Sequence, residues 1–549
     1  MTTTIGGSYP AVNSDSDATI NGLTVGKGGG SVSTSTAVGY QAINATATGT
    51  NNTVVGYQAA YTNTSGDNIV AVGYQAAYTN ATGTALTAIG NRAGRTYNTN
   101  GTEVAGSTFV GSNAGRFTTT GIDNAFLGAL AGYANTTGAN NVAVGSQALQ
   151  ANTTGSANTA VGYQAAYAGS ANITAIGYQA AYNEASANST ALGYQALYTS
   201  NGGNENLAVG HSALYSNTTG AFNTAVGGRK TMYLNTTGGN NVAVGWQALY
   251  SNTTASNNTA VGYQALYTNS TTTNNTAVGY LAGYSNVGSG NTFIGNQAGQ
   301  TANGTGNTYN TFIGYYAGQA VTSGSNNTFV GVGSGQAMTT GSKNTIIGEY
   351  VGNQGGLDIR TASNYIVLSD GDGNPRGVFG SDGTFYCGTV TAASLGTINR
   401  GFVVRNETAG QTYIQVAASN SGSQNLAYFY SSSGTAGFIQ VSGTSCTYNS
   451  ISDYRLKENV VPMTGALEKV ALLKPCTYKW KTDGKNGQGF IAHELQEIFP
   501  EAVAGEKDAL DEDGKIKPQA LDTSVLVATL TAAIQELKAE FDAYKATHP

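Results

Sequence analysis

Charged side chains are nearly missing from the first two thirds of this chain. Between Ser31 and Gly348 there are eleven Asp, Glu, Lys or Arg residues, whereas Ser452–Pro549 holds 28 of the 52 in the protein. Proline is absent between Pro10 and Pro375. Three cysteines, Cys387, Cys446 and Cys476, are too few and too scattered for a disulfide framework. No His or Cys partner stands at metal-ligand spacing, so neither a metal nor a cofactor is expected. No apolar run approaches the roughly 18 residues of a membrane-spanning helix, so membrane insertion is not expected. The segment Met1–Asn21 has no basic start and no apolar run, so no secretory signal is expected there. A net charge of −6 over 549 residues, with no basic stripe, argues against a nucleic-acid partner.

What the chain has instead is a phrase, in its fullest form Asn-Asn-Thr-Ala-Val-Gly-Tyr-Gln-Ala-Leu-Tyr. Its glycine recurs nineteen times from Gly39 to Gly348; twelve of the eighteen intervals are 17 residues and the rest lie between 15 and 21. A fixed period of this size marks a solenoid, whose units bury their apolar faces only against their neighbours. In Thr259-Ala260-Val261-Gly262, an extended backbone sends Thr259 and Val261 to one face and Ala260 and Gly262 to the other. Both faces are small or apolar, which implies a strand covered on both sides. One side is then the core of its own coil. The other calls for identical chains around a threefold axis, with Ala and Gly permitting the close approach.

Phrases such as Asn235-Thr-Thr-Gly238-Gly239-Asn-Asn241 between the strands read as chain reversals, because Gly and Asn tolerate positive φ. At about 4.8 Å per coil the repeats would build a rod of roughly 90 Å. Stacked Asn and Thr side chains would form surface ladders in place of ion pairs. The phrase Asn275-Thr276-Ala277-Val278-Gly279 resembles the head repeats of trimeric autotransporter adhesins, which implies a trimeric parallel β-roll over roughly Ser31–Gly348.

From Glu349 to Ile451 the period is lost. Strand-like runs at Tyr365–Ser369, Gly377–Phe379, Gly401–Arg405, Tyr413–Val416 and Gly437–Val441 predict a small all-β stem. Asp370-Gly-Asp372-Gly-Asn374 begins like a calcium loop, but Pro375 and Ser381 stand where that loop needs Gly and Glu, so a tight turn is expected.

The charged C-terminal segment opens with Ser452-Asp453-Tyr454-Arg455-Leu456-Lys457. It continues through Gly489-Phe490-Ile491-Ala492-His493-Glu494-Leu495 to Ala533-Ile534-Gln535-Glu536-Leu537. These three motifs together resemble the intramolecular chaperone auto-processing domain of endosialidase tailspikes and phage fibres. The resemblance implies that Ser452 is a nucleophile, Lys457 its partner, Asp453 and Arg455 supporting residues, and the bond between Ile451 and Ser452 the site of self-cleavage. A serine hydroxyl needs a base, and a lysine serves only where burial or a nearby cation lowers its pKa. Leu530, Ile534, Leu537, Phe541 and Tyr544 fall at heptad spacing, so a short coiled-coil tip is expected.

The expected order is therefore an N-terminal attachment segment over residues 1–30, a β-roll over 31–348, a β-rich stem over 349–451 and a chaperone α+β domain over 452–549. The functional expectation is a homotrimeric phage tail fibre in the virion. Other tail or baseplate proteins would hold its N-terminus, and a host-surface glycan or outer-membrane receptor would be its target. The loops longest relative to the period, Thr96–Ser107 and Thr301–Asn310, are candidate contact loops. The alternatives are a bacterial trimeric surface adhesin and a glycan-degrading tailspike. For the last, Glu103, Asp123, Glu184 and Glu205 sit one to a repeat without forming a carboxylate pair.

Overall fold

In most coils three residues of the repeated phrase make a strand, as at Thr259–Val261, and the rest of the coil turns. The computed structural model describes residues 18–20, 23–27, 32, 34–99, 106–387, 401–406, 412–417, 424–431, 434–442, 445–511 and 514–548. They fall into two compact units, residues 1–426 with 441–444, and residues 427–440 with 445–549. The first unit is a parallel β-solenoid. Its strands pair coil to coil from Thr36–Val38 through Thr259–Val261 and Thr276–Val278 to Ile366–Ser369, so the parallel register runs one coil past Gly348. Antiparallel strands Pro375–Phe379, Phe385–Cys387, Gly401–Asn406 and Thr412–Ala417 continue the same sheet. The Asp370–Asn374 segment is a hairpin turn in which the Asp370 carboxylate accepts from the Asp372 and Asn374 amides and pairs with Arg376.

One coil shows the rule. Ala260, Ala265 and Leu266 are fully buried and meet their counterparts above and below to make a continuous apolar column. Thr259 and Val261 point outward, half-buried. Ala260 and Gly262 therefore do not face a threefold axis, contrary to the sequence-based expectation. Ala260 fills the core of its own chain. Gly262, at φ +136°, lies so close to the next coil that a Cβ would stand 2.3 Å from the Gly279 carbonyl oxygen. The glycine is demanded by stacking within one chain. The face open to another copy is the Thr/Val row, where Val244, Val278 and Ile294 are 37–38% exposed.

The asparagine ladder is likewise internal, not a surface feature. Asn258 and Asn275 are fully buried. The Asn258 side-chain oxygen accepts the Asn275 amide at 3.0 Å, and its NH2 donates to the Thr272 carbonyl at 3.1 Å. The same link recurs from Asn241 to Asn258 and from Asn310 to Asn327. Each side chain satisfies backbone groups that a tight, buried turn would otherwise orphan, at a cost of about 1–3 kcal/mol each. Outside, Tyr167, Tyr182, Tyr198, Tyr215, Tyr233, Tyr250, Tyr267 and Tyr284 form an unbroken stack with ring centroids 5.0–5.7 Å apart. Such pairs contribute about 0.5–1.5 kcal/mol each beyond area burial.

In several coils a large residue at one core position is matched by a small one at the other. Where the strand carries Ala143 or Ala260, the opposing corner residue is Leu149 or Leu266; where it carries Phe126 or Phe312, that residue is Gly132 or Gly318. A Cβ on Gly132 would meet the Phe126 ring at 2.3 Å. Leu149 adopts φ 51° at the same corner where Gly132 has φ 57°, so the backbone itself accepts leucine. Gly132→Leu alone should destabilise its coil by about 1–3 kcal/mol through overpacking, and Phe126→Ala alone by about 3–5 kcal/mol through a cavity. The double variant should recover most of that loss. Hydrogen exchange of the amides around Phe126–Leu149 is the measurement, because repeat arrays do not unfold in two states.

One coil carries a carboxylate in an inner polar row. Glu184, fully buried, stands where other coils have Asn152 or Asn217. It accepts from the Ser186 amide at 3.0 Å and the Ser200 hydroxyl at 3.1 Å, and also from the Ser186 hydroxyl, leaving Oε2 without a partner. Burial, opposed by these hydrogen bonds, pushes its carboxyl up from 4.5 to about 7. Because the folded state holds the proton more tightly, Glu184 is neutral and tolerated below the unfolded pKa. Stability is then lost as pH rises from about 4.5 to about 7. The full loss is about 3 kcal/mol. Glu184→Gln should remove that slope, read as pH-independent exchange protection of the Thr174–Leu192 strands.

Candidate functional site

The second unit has a small core of its own. Helices α1 (Ala466–Ala471), α2 (Ala492–Gln496) and α3 (Leu526–Thr547) surround buried Leu495, Phe499, Ala502 and Leu526. The Glu536 carboxylate on α3 accepts the Ala466 and Leu467 amides at 3.1 and 2.6 Å, capping the open amides at the start of α1. Those hydrogen bonds hold its carboxyl below the usual range. A hairpin, Cys476–Lys479 against Asn486–Gly489, leads through Phe490 and Ile491 into α2.

The motif Ser452–Lys457 folds as a single tight turn. Asp453 caps a 3-10 turn at Tyr454–Leu456 by accepting the Arg455 amide at 2.9 Å. The same carboxylate pairs with the Arg455 guanidinium through Nη2–Oδ2 at 2.6 Å and Nε–Oδ1 at 3.0 Å. The hydrogen bonds from Arg455 hold the Asp453 carboxyl below its ordinary value, and Asp453 in turn raises the guanidinium. This turn folds the chain back so that Lys457 Nζ reaches Ser452 Oγ at 2.6 Å. Five residues apart in sequence, the two groups are brought into direct contact. Asp453 and Arg455 are positioning residues here: they shape the turn and neutralise each other, so Arg455 is not a free cation beside the lysine.

The pair is open to water. Ser452 and Lys457 are exposed, and Ile451, on the other side of the bond in question, is 40% exposed. Apolar side chains in and just after this turn are also largely exposed: Tyr454 at 81%, Leu456 at 75%, Val460 at 78% and Val461 at 79%. The heptad positions of α3 share that condition, from Leu530 at 39% to Ile534 at 67%. Exposed large apolar groups on this scale mark surfaces that another chain covers.

Other sequence candidates are not assembled into a site. Asp123, Glu184 and Glu205 lie on separate coils, with Glu184 sealed in the interior; Glu103 lies outside the described residues. Residues 100–105 of the Thr96–Ser107 loop are also outside them. What sequence reading missed on the solenoid is the pair Arg229-Lys230, which replaces Tyr-Gln of the phrase; lining up the nineteen repeats would have exposed it.

Among known proteins, residues 452–504 match the family model described as chaperone of endosialidase. No curated protein and no solved structure matches the chain. The match begins at Ser452 itself and takes in the Ser452–Lys457 turn, the hairpin and α2. It supports an intramolecular chaperone at the C-terminal end of a mainly β solenoid chain.

Proposed function

We propose that this chain is a homotrimeric phage tail fibre whose C-terminal segment assembles the trimer and then releases itself. The observation that carries the reading is the chaperone match, joined to a helix whose heptad seam is bare in one chain. Low-charge repeats with near-identical coils are prone to register slips. A C-terminal segment that gathers three chains first fixes stoichiometry and register before the solenoids stack. Leu530, Ile534, Leu537, Phe541 and Tyr544 supply the seam. Fibre attachment through the N-terminal end to tail or baseplate proteins, and contact with a host-surface glycan or outer-membrane receptor, complete the virion role.

The cleavage chemistry follows from the turn. Lys457 must shed a proton before it can take one from Ser452, and that requires removal of water from the pair. Apolar Tyr454, Leu456, Val460 and Val461 are placed to exclude water once neighbouring chains cover them. Ser452 Oγ then attacks the Ile451 carbonyl carbon, the Ile451–Ser452 C–N bond breaks, and the nitrogen leaves as the Ser452 amine. Water hydrolyses the resulting ester, leaving an Ile451 carboxylate and the restored hydroxyl. Loss of the chaperone makes unfolding hard to retrace, which is kinetic stability suited to an extracellular particle.

Mass spectrometry of the purified chain should show two fragments divided between Ile451 and Ser452, while Ser452→Ala and Lys457→Met remain intact. An intact wild-type chain under every folding condition contradicts self-cleavage. Ile534→Asp combined with Phe541→Asp should abolish trimers in light scattering and, with them, cleavage.

A further inference from the structure

Inter-coil hydrogen bonds place one outward side chain of each coil directly above the last. Ser212 N donates to Tyr194 O, Lys230 N to His211 O, Gln247 N to Arg229 O and Gln264 N to Trp246 O, at 2.8 to 3.3 Å. Tyr194, His211, Arg229, Trp246 and Tyr263 are therefore successive members of one column. On the N-terminal side of this coil the rings stack, as Tyr178 on Tyr194 at 5.1 Å and His211 on Tyr194 at 4.8 Å, whereas Asn, Ser or Ala stands in the column at some other coils. At Arg229 the stack is broken by a cation.

The neighbouring column breaks at the same coil. Gln179 and Gln195 are joined by their side-chain amides at 2.9 Å, and Gln247 and Gln264 at 2.8 Å. Between these pairs stand Ser212 and Lys230, and the Lys230 ammonium lies 4.8 Å from the centre of the Tyr233 ring. The coil itself is irregular. Its interval, Gly227 to Gly245, is 18 residues, and the pairing shifts register between Val209 and His211. The extra residue, Gly228, has open space where a side chain would be. Bulges of this kind re-aim side chains.

Both cations lack acids. No Asp or Glu occurs between Glu205 and Glu349, and among the described residues Arg229 makes no side-chain hydrogen bond, ion pair or ring contact. Arg92, Arg95 and Arg116, by contrast, lie over tyrosine rings. An exposed guanidinium, with Lys230 the next residue in the chain, suits a carboxylate. His211 and Trp246, the latter 42% exposed, flank it along the column with apolar ring surface. The amide ladders on either side retain free donors and acceptors for hydroxyl groups. Two cations are too few for nucleic acid, which needs a phosphate-spaced array.

We propose that His211, Arg229, Lys230 and Trp246 form a binding site for a carboxylated sugar within a polysaccharide. This rests on the reading of the chain as a surface-attachment fibre and assigns that reading a ligand class and a place. The carboxylate meets Arg229 and Lys230, the sugar ring lies against Trp246, and flanking hydroxyls use the glutamine ladder.

The test uses the full chain carrying Trp480→Phe, so that Trp246 is the single tryptophan. Oligogalacturonate should change Trp246 emission saturably, and added salt should weaken the binding. Arg229→Tyr with Lys230→Gln restores the Tyr-Gln of the repeated phrase, as in Tyr194-Gln195 and Tyr263-Gln264, so the fold is retained. This variant should bind at least tenfold more weakly. Unchanged affinity in the variant, no response in the parent chain, or an equal response to a neutral maltooligosaccharide overturns the site. An equal response to polyglutamate instead assigns the surface to an acidic peptide and also overturns it. Adsorption to host cells is scored separately. Adsorption that survives in the double variant contradicts the site and leaves the attachment reading standing. Oligogalacturonate binding without adsorption does the reverse.

Discussion

Close backbone stacking between successive coils is the constraint from which the rest of the solenoid follows. At Gly262 the next coil's carbonyl is too near for any side chain, which fixes glycine at that corner in coil after coil. The same proximity leaves turn amides and carbonyls buried with no water to reach, and a side-chain amide one coil away answers them. Asn258 serves Asn275, and Asn310 serves Asn327. Ion pairs would be poor substitutes in so tight a column, because each charge would have to be stripped of water. The scarcity of charge and the excess of Asn and Gly thus have one cause.

Much of this was legible in the sequence, and the misses have physical reasons. The period and the strand at Thr259–Val261 follow from spacing and alternation. Alternation also separates Ala260 from Thr259 and Val261, but it led to the wrong destination for Ala260, a threefold axis, because alternation says that two faces differ and is silent on which one its own coil encloses. Sequence alone points the Asn258 ladder to the surface, because Asn is a common surface turn residue; only the coil-to-coil geometry shows it satisfying buried amides. The positive φ of Gln264 and Leu266 carries no sequence signature at all, since those residues rarely adopt it. The exchange of Leu149 with Ala143 for Gly132 with Phe126 was written in the chain, and becomes meaningful once the two positions are known to touch.

The C-terminal site was read from a motif, and its geometry adds a division of labour. Asp453 and Arg455 fold the turn by pairing with each other, and that turn delivers Lys457 to Ser452. The contact is local, whereas the surroundings are not: exposed Tyr454, Leu456 and Val460, and the bare seam of α3, belong to a surface that a lone chain cannot complete. In the self-cleavage we propose, assembly would link to chemistry because neighbouring chains would have to displace the water that now surrounds the pair. The solenoid coils, with a complete core inside one chain, need those neighbours for register more than for burial.

Hydrogen exchange of the buried ladder amides, including Asn258 and Asn275, tests this account most directly when the chain is produced with and without residues 452–549. Strong protection throughout the solenoid in the first preparation, and its loss or replacement by aggregate in the second, is the predicted result. Equal protection in both would contradict it, showing that the coils find their register unaided.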